Sequence, residues 1–260
     1  MAYIAKGAIM AEVITIMNRK GGVGKTTTAH AIAAGLALQG KRTLLIDLDG
    51  QGNISRDTGT DQAKATVYEM IIKGIKAADV IQNVKDNLDA IPAKDNLSKA
   101  DTELTGAGKE NRLKEALLPI KKSYDYIVLD TPPALNILTV NALTASNSVI
   151  IPANAEIHSI EGIGLLKGYI DAIRHTVNKT LKIKGIVLTQ YSARTVLARD
   201  MKVNLEKVAG QYGIKVFTQS ISTCVAVAEA QAYKQDIFAY APRSKAAKEY
   251  KTLIDEAIFS

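Results

Sequence analysis

The sequence predicts an α/β fold, a mostly parallel twisted sheet with helices on both faces. Three observations predict it. Short apolar runs rich in β-branched residues recur along the 260 residues, each too short to be a helix. Amphipathic helical patterns separate them, the alternation that builds βαβ units. The runs are continuous in hydrophobicity, as strands covered on both faces require.

In chain order, residues 1–12 read as a leader. They lack the long apolar core and cleavage site of a signal peptide. Strands are expected at Val13–Met17, Arg42–Ile46, Leu88–Ile91, Tyr126–Leu129, Ser148–Ile151, Gly185–Leu188 and Ile214–Phe217. Helices are expected at Thr26–Leu38 (ended by Gly40), Lys109–Leu118, Ile160–Asn178, Thr195–Gly210 and Ser244–Ile258. Gly50–Thr60 is rich in Gly, Asn, Asp, Thr and Ser and should be a mobile loop. With no repeat and no low-complexity linker, residues 13–260 form one expected domain.

Composition narrows the classes. With 47% hydrophobic and 23% charged residues, the chain is not wholly disordered. No apolar run approaches the length of a membrane span. The single cysteine, Cys224, excludes an intramolecular disulfide framework and fits a reducing cytosol. His30, His158 and His175 are isolated and give no metal-ligand spacing. The formal net charge is +7, and residues 160–260 hold 15 basic against 9 acidic side chains. That field would attract nucleic acid or an anionic membrane, or it is a solvated surface kept for solubility.

The chemistry concentrates in Asn18-Arg19-Lys20-Gly21-Gly22-Val23-Gly24-Lys25-Thr26-Thr27. Small glycines let consecutive backbone N–H groups turn inward on a phosphate. The following helix adds the positive end of its dipole. Lys25 can reach the terminal phosphates, and the Thr26 hydroxyl is placed to bind Mg²⁺. The usual phosphate-loop pattern has glycine where Arg19 stands, and a second lysine, Lys20, sits at the entrance. Asp47 and Asp49 end the second strand two residues apart, so they point the same way if the chain is extended. Ligands of open α/β sheets bind at that carboxyl edge. A polar turn is the alternative reading of the pair. Asp130 ends the apolar run Tyr126–Leu129, which suits a carboxylate held near Mg²⁺. These features make the fold one of P-loop NTPase type.

The loop with its extra lysine resembles the deviant phosphate loop of the ParA/MinD family of ATPases. Asp47-Leu48-Asp49-Gly50 resembles the first switch of that family, although Gly50 replaces the usual proline. Asp130-Thr131-Pro132-Pro133 resembles its Walker B segment and second switch. The resemblance implies ATP and Mg²⁺ as ligands and an ATP-sandwich homodimer in which Lys20 reaches the partner's nucleotide. It implies that Asp49 orients the attacking water and that Asp47 sits nearer the metal. Gly50 should loosen the loop and leave hydrolysis slower or more dependent on an activator.

The resemblance further implies nonspecific DNA binding through the basic C-terminal portion, with Arg194 carried over. Ser222, Thr223 and Ala226 stand where the family has a proline and two arginines, so other basic residues, Arg199 and Lys202 among them, could compensate. A small Soj-type partition protein is the first expectation, cytoplasmic, nucleoid-associated with ATP, and stimulated by a ParB-like partner. A MinD-like membrane-positioning ATPase, docking through Ser244–Ile258, and a nonenzymatic nucleotide-gated regulator are the alternatives. A single cysteine argues against iron–sulfur carriers of the same superfamily. With no helix-turn-helix domain before the loop, a sequence-specific DNA reader is not expected.

Overall fold

The computed structural model describes residues 10–259. Residues 1–9 of the expected leader lie outside them, while Glu12 already belongs to the first strand. The strands are β1 (Glu12–Ile16), β2 (Thr43–Asp47), β3 (Gln82–Lys85), β4 (Leu88–Ile91), β5 (Tyr126–Asp130), β6 (Ser148–Ala153) and β7 (Lys182–Leu188). Among the described residues they form one seven-stranded sheet in the order β3-β4-β2-β5-β1-β6-β7. Every neighbouring pair is parallel apart from β3–β4, which is antiparallel and bulged between Asn83 and Lys85.

Helix α1 (Lys25–Leu38) joins β1 to β2. Between β2 and β3 run α2 (Asn53–Asp57), α3 (Val67–Lys73) and α4 (Ala77–Val80), and between β4 and β5 run α5 (Ala100–Glu103) and α6 (Arg112–Leu117). Helix α7 (Ile137–Ala145) leads to β6 and α8 (Ile157–Thr176) to β7. The chain closes with α9 (Val196–Gln211), α10 (Val225–Ala232), α11 (Ile237–Tyr240) and α12 (Lys245–Ile258).

Strand alternation distributes the core to both faces. Ile14, Ile16, Leu45 and Val128 pack with α1 and α12, while Val13, Leu44, Ile46, Ile127 and Leu129 pack on the other side with α3, α6 and α7. A third cluster joins β6, β7, α8 and α9 around Ile170, Ile186 and Leu205. The Thr195 and Ser244 side chains cap α9 and α12 by accepting from the backbone N–H groups of Ala198 and Ala247.

Two expectations are corrected. Ile214–Phe217 is not a strand: Val216 makes a single parallel bridge to Ile186. Beyond it the backbone N–H groups of Thr218 and Gln219 donate to the Glu256 carboxylate of α12, at 2.9 and 3.0 Å, which draws the chain off the sheet. Gly50–Thr60 is not a structureless loop, since it contains α2 with Ile54, Ser55 and Asp57 buried. Lys109–Leu118 opens as a 3₁₀ turn at Lys109–Asn111 before α6 begins.

Helix α12 bears on the membrane alternative. Ala246, Ala247, Tyr250, Leu253, Ile254 and Ala257 are buried. The fit against α1 is close: a Cβ on Gly35 would lie 2.3 Å from Ile254 Cδ1. The apolar face is thus spent on the core. Among the described residues no helix is long and apolar enough to cross a membrane. Leu253→Ala should lower unfolding free energy in urea by about 2–5 kcal/mol, the cost of emptying a packed site. A lipid-facing leucine would cost almost nothing in the same measurement.

Candidate functional site

Parallel register assembles the site. Asp130 is the Cα partner of both Ile16 on β1 and Asp47 on β2, so three strand ends lie level. Both carboxylates are fully buried there. The glycine loop passes over this edge, between β1 and α1. Gly22 and Gly24 adopt left-handed backbone, φ 73° and 74°, which a side chain would strain. Gly24 leads directly into α1, so the helix N-terminus opens on the same spot.

Lys25 is buried and donates from Nζ to the Lys20 carbonyl at 3.0 Å. Burial lowers its pKa, and the charges of Asp130 and Asp49 oppose the shift. Thr26 Oγ1 donates to Asp130 Oδ2 at 2.7 Å. The other oxygen, Asp130 Oδ1, is buried without a hydrogen-bond partner among the described residues. Burial and the neighbouring Asp47 hold the Asp130 pKa well above the carboxylate range. The Thr26 hydroxyl and the orphaned Asp130 oxygen are all-oxygen donors that fit a hydrated divalent cation. Such an ion would restore the ionised form.

Asp47 is anchored differently. Its Oδ1 accepts from Asp49 N at 3.1 Å, and its Oδ2 accepts from Ser55 N at 3.2 Å and Ser55 Oγ at 2.9 Å. Asp49 is half-buried, and its Oδ1 accepts from Gln51 N at 3.0 Å. Gly50 lies against the turn at Asp95–Lys99, where an added Cβ would come within 3.4 Å of Ser98 N. The segment after Asp49 is therefore packed and hydrogen-bonded. Gly50 thus sits in a hydrogen-bonded turn. Lys20 forms an ion pair with Glu156 of its own chain.

Residues that sequence reasoning missed brace the loop from the next strand ends. Thr189 Oγ1 donates to the Val23 carbonyl at 2.8 Å. Gln190, itself in left-handed backbone at φ 52°, donates from Nε2 to the Gly22 carbonyl at 3.0 Å. Asn18 Nδ2 donates to Pro152 O at 2.7 Å. The signal was present: Thr189-Gln190 directly follows a predicted parallel strand, so it falls at the binding edge. A cleft of about 230 Å³ adjoins Gly24 and Thr27, lined also by Thr189, Thr223, Cys224 and Gln231.

The basic candidates gather elsewhere. Arg194 is exposed before α9, and Arg199 turns back to donate to Ala193 O at 2.7 Å. Lys202 stands 3.8 Å from Glu206 and 5.8 Å above the Tyr191 ring.

A family profile described as an AAA domain matches residues 11–183. The sporulation initiation inhibitor protein Soj of Bacillus subtilis is 40% identical over 251 residues, covering 95% of this chain and 98% of the relative. The chromosome partitioning protein ParA of Myxococcus xanthus is 36% identical over 250 residues, covering 95% and 87%. The crystal structure of a cobyrinic acid a,c-diamide synthase from Mycobacterium smegmatis with bound ADP and magnesium has a TM-score of 0.82. It is 32% identical and covers 95% of this chain and 93% of its own.

Burial lifts the Asp47 pKa from its ordinary value of 3.8 to about 7. An acid raised by folding favours the folded state when protonated. Its contribution is therefore complete below the ordinary value and is lost as pH rises through about 7. In nucleotide-free protein, Asp47→Asn should flatten the fall in unfolding free energy over that interval, read by urea melts at successive pH values. An unchanged slope counts against the assignment.

Proposed function

The chain belongs to the ParA/Soj family of partition ATPases, and on that premise we propose that it is an ATP-driven dimerisation switch for DNA cargo. The observation that carries the proposal is the column of Lys25, Thr26, Asp130, Asp47 and Asp49 beneath the glycine loop. Backbone N–H groups of Gly21, Gly22, Val23, Gly24, Lys25, Thr26 and Thr27 face the phosphates, as glycine loops at helix N-termini do. Lys25 neutralises the terminal phosphates. The cleft beside Gly24 and Thr27 takes the nucleoside.

Thr26, Asp130 and Asp47 would hold Mg²⁺, and the fit rests on the orphaned Asp130 oxygen. When bound, the ion supplies positive charge to the phosphate oxygens. Asp49 holds and orients the attacking water from its half-buried position beside Lys25. Lys20 exchanges its Glu156 contact for the partner's triphosphate, so ATP closes a sandwich homodimer. The dimer binds DNA nonspecifically through phosphate contacts from Arg194, Arg199 and Lys202. A ParB-like partner stimulates hydrolysis and releases it. In the cell this places the protein in the cytoplasm, on the nucleoid when ATP is bound.

Sedimentation with Mg-ATP, with and without unrelated duplex DNA, tests the switch. Wild type should sediment as a dimer and co-sediment with DNA at low salt, the association weakening steeply as salt rises. Lys20→Ala should abolish both. ATP-loaded wild type that stays monomeric would sink the sandwich reading. Asp49→Ala should retain nucleotide but lose steady phosphate release, and release at the wild-type rate would remove Asp49 from the mechanism.

A further inference from the structure

Outside the phosphate column, one polar cluster links three elements that the chain keeps far apart. Gln231 on α10 donates from Nε2 to Asp57 Oδ2 at 3.0 Å and stands 3.5 Å from Thr27 Oγ1. Asp57 ends α2 and is 9% exposed. Thr27 lies in the first turn of α1, beside Thr26. The bridge thus spans the helix after Asp49, the helix of the phosphate loop, and a helix from the last part of the chain.

We infer that Gln231 is a positioning residue that couples occupancy of the nucleoside cleft to the placement of α2, and through α2 to Asp49. The inference rests on the ATPase reading above. Three observations support it. Gln231, Thr27 and Cys224 (the residue that precedes α10) line the cleft, as do Val227 and Ala228, so a nucleoside there presses on the helix that carries the amide. Helix α2 is tethered on each side of Arg56, by Ser55 to Asp47 and Ala93 on one side and by Asp57 to Gln231 on the other. The first reaches the strand that leads to Asp49, and the second reaches the cleft. Asp57 is also poorly solvated: burial pushes its pKa up, and the Gln231 hydrogen bond with the Arg56 charge holds it down. A buried carboxylate with so few donors is strongly biased by the loss of one.

The test separates positioning from folding. Gln231→Ala should lower kcat for phosphate release at saturating ATP about tenfold, the size of one lost hydrogen bond to a charged group, with any loss of ADP affinity no larger than that, since the coupling is reciprocal. Hydrogen exchange gives a second readout that needs no turnover. ADP should protect the amides of Asn53–Asp57 in wild type, and Gln231→Ala should bind ADP without that protection. Asp57→Ala reaches the bridge from the other end and should reproduce both effects, whereas Asp57→Asn keeps an acceptor and should retain wild-type kcat and protection. The double variant Gln231→Ala with Asp57→Ala should be no worse than either single one. An unchanged kcat, additive defects, or intact protection of α2 in Gln231→Ala would each overturn the coupling. Wild type that binds ADP but releases no phosphate would instead overturn the ATPase reading, and the exchange experiment would still decide the bridge.

Discussion

Two buried carboxylates side by side are a liability, and the architecture of this protein is arranged around that liability. Asp47 and Asp130 are register partners at the ends of β2 and β5, and neither reaches water. Like charges in so dry a place cannot both be ionised without compensation. Asp49 N and Ser55 compensate Asp47, and the first turn of α1 serves Asp130: the Thr26 hydroxyl on it, the Lys25 ammonium nearby, and the helix N-terminus above. What remains uncompensated is one oxygen of Asp130. That open oxygen is the position at which a metal-bearing polyphosphate suits the site.

The phosphate side of this arrangement was legible because its parts are local. Gly21 to Thr27 lie within one turn of chain, and Asp47 and Asp130 each end an apolar run that reads as a strand. Parallel register then does the rest, because strand ends at one edge converge without any further sequence signal. The contacts around the adjoining cleft were not legible. Thr189, Gln190, Gln231 and Asp57 are ordinary polar residues, and their meaning comes from contacts that span up to 174 positions. No periodicity encodes such pairings.

The misread elements share a cause. Helix α2 has five residues and a polar composition, and it forms because Ile54 finds the core and Ser55 finds Asp47. Ile214–Phe217 has the composition of a strand, yet Glu256 captures the next two backbone N–H groups before a ladder can grow. In both places a tertiary hydrogen bond donated to a carboxylate outweighed local propensity, which is weak over so few residues. The long helices α1, α8, α9 and α12 were read to within a few residues, because over that length the helical signal averages out such intrusions.

The two flanks of the sheet carry a consequence for assembly. On one flank, β3 is four residues long, hydrophilic and bulged. On the other, the segment around Val216 already occupies part of the outer border of β7 through Ile186. Both borders are therefore poor templates for strand addition, by which exposed edges seed fibres and runaway polymers. A protein that closes on its own copies reversibly, as proposed above, gains from having this route blunted.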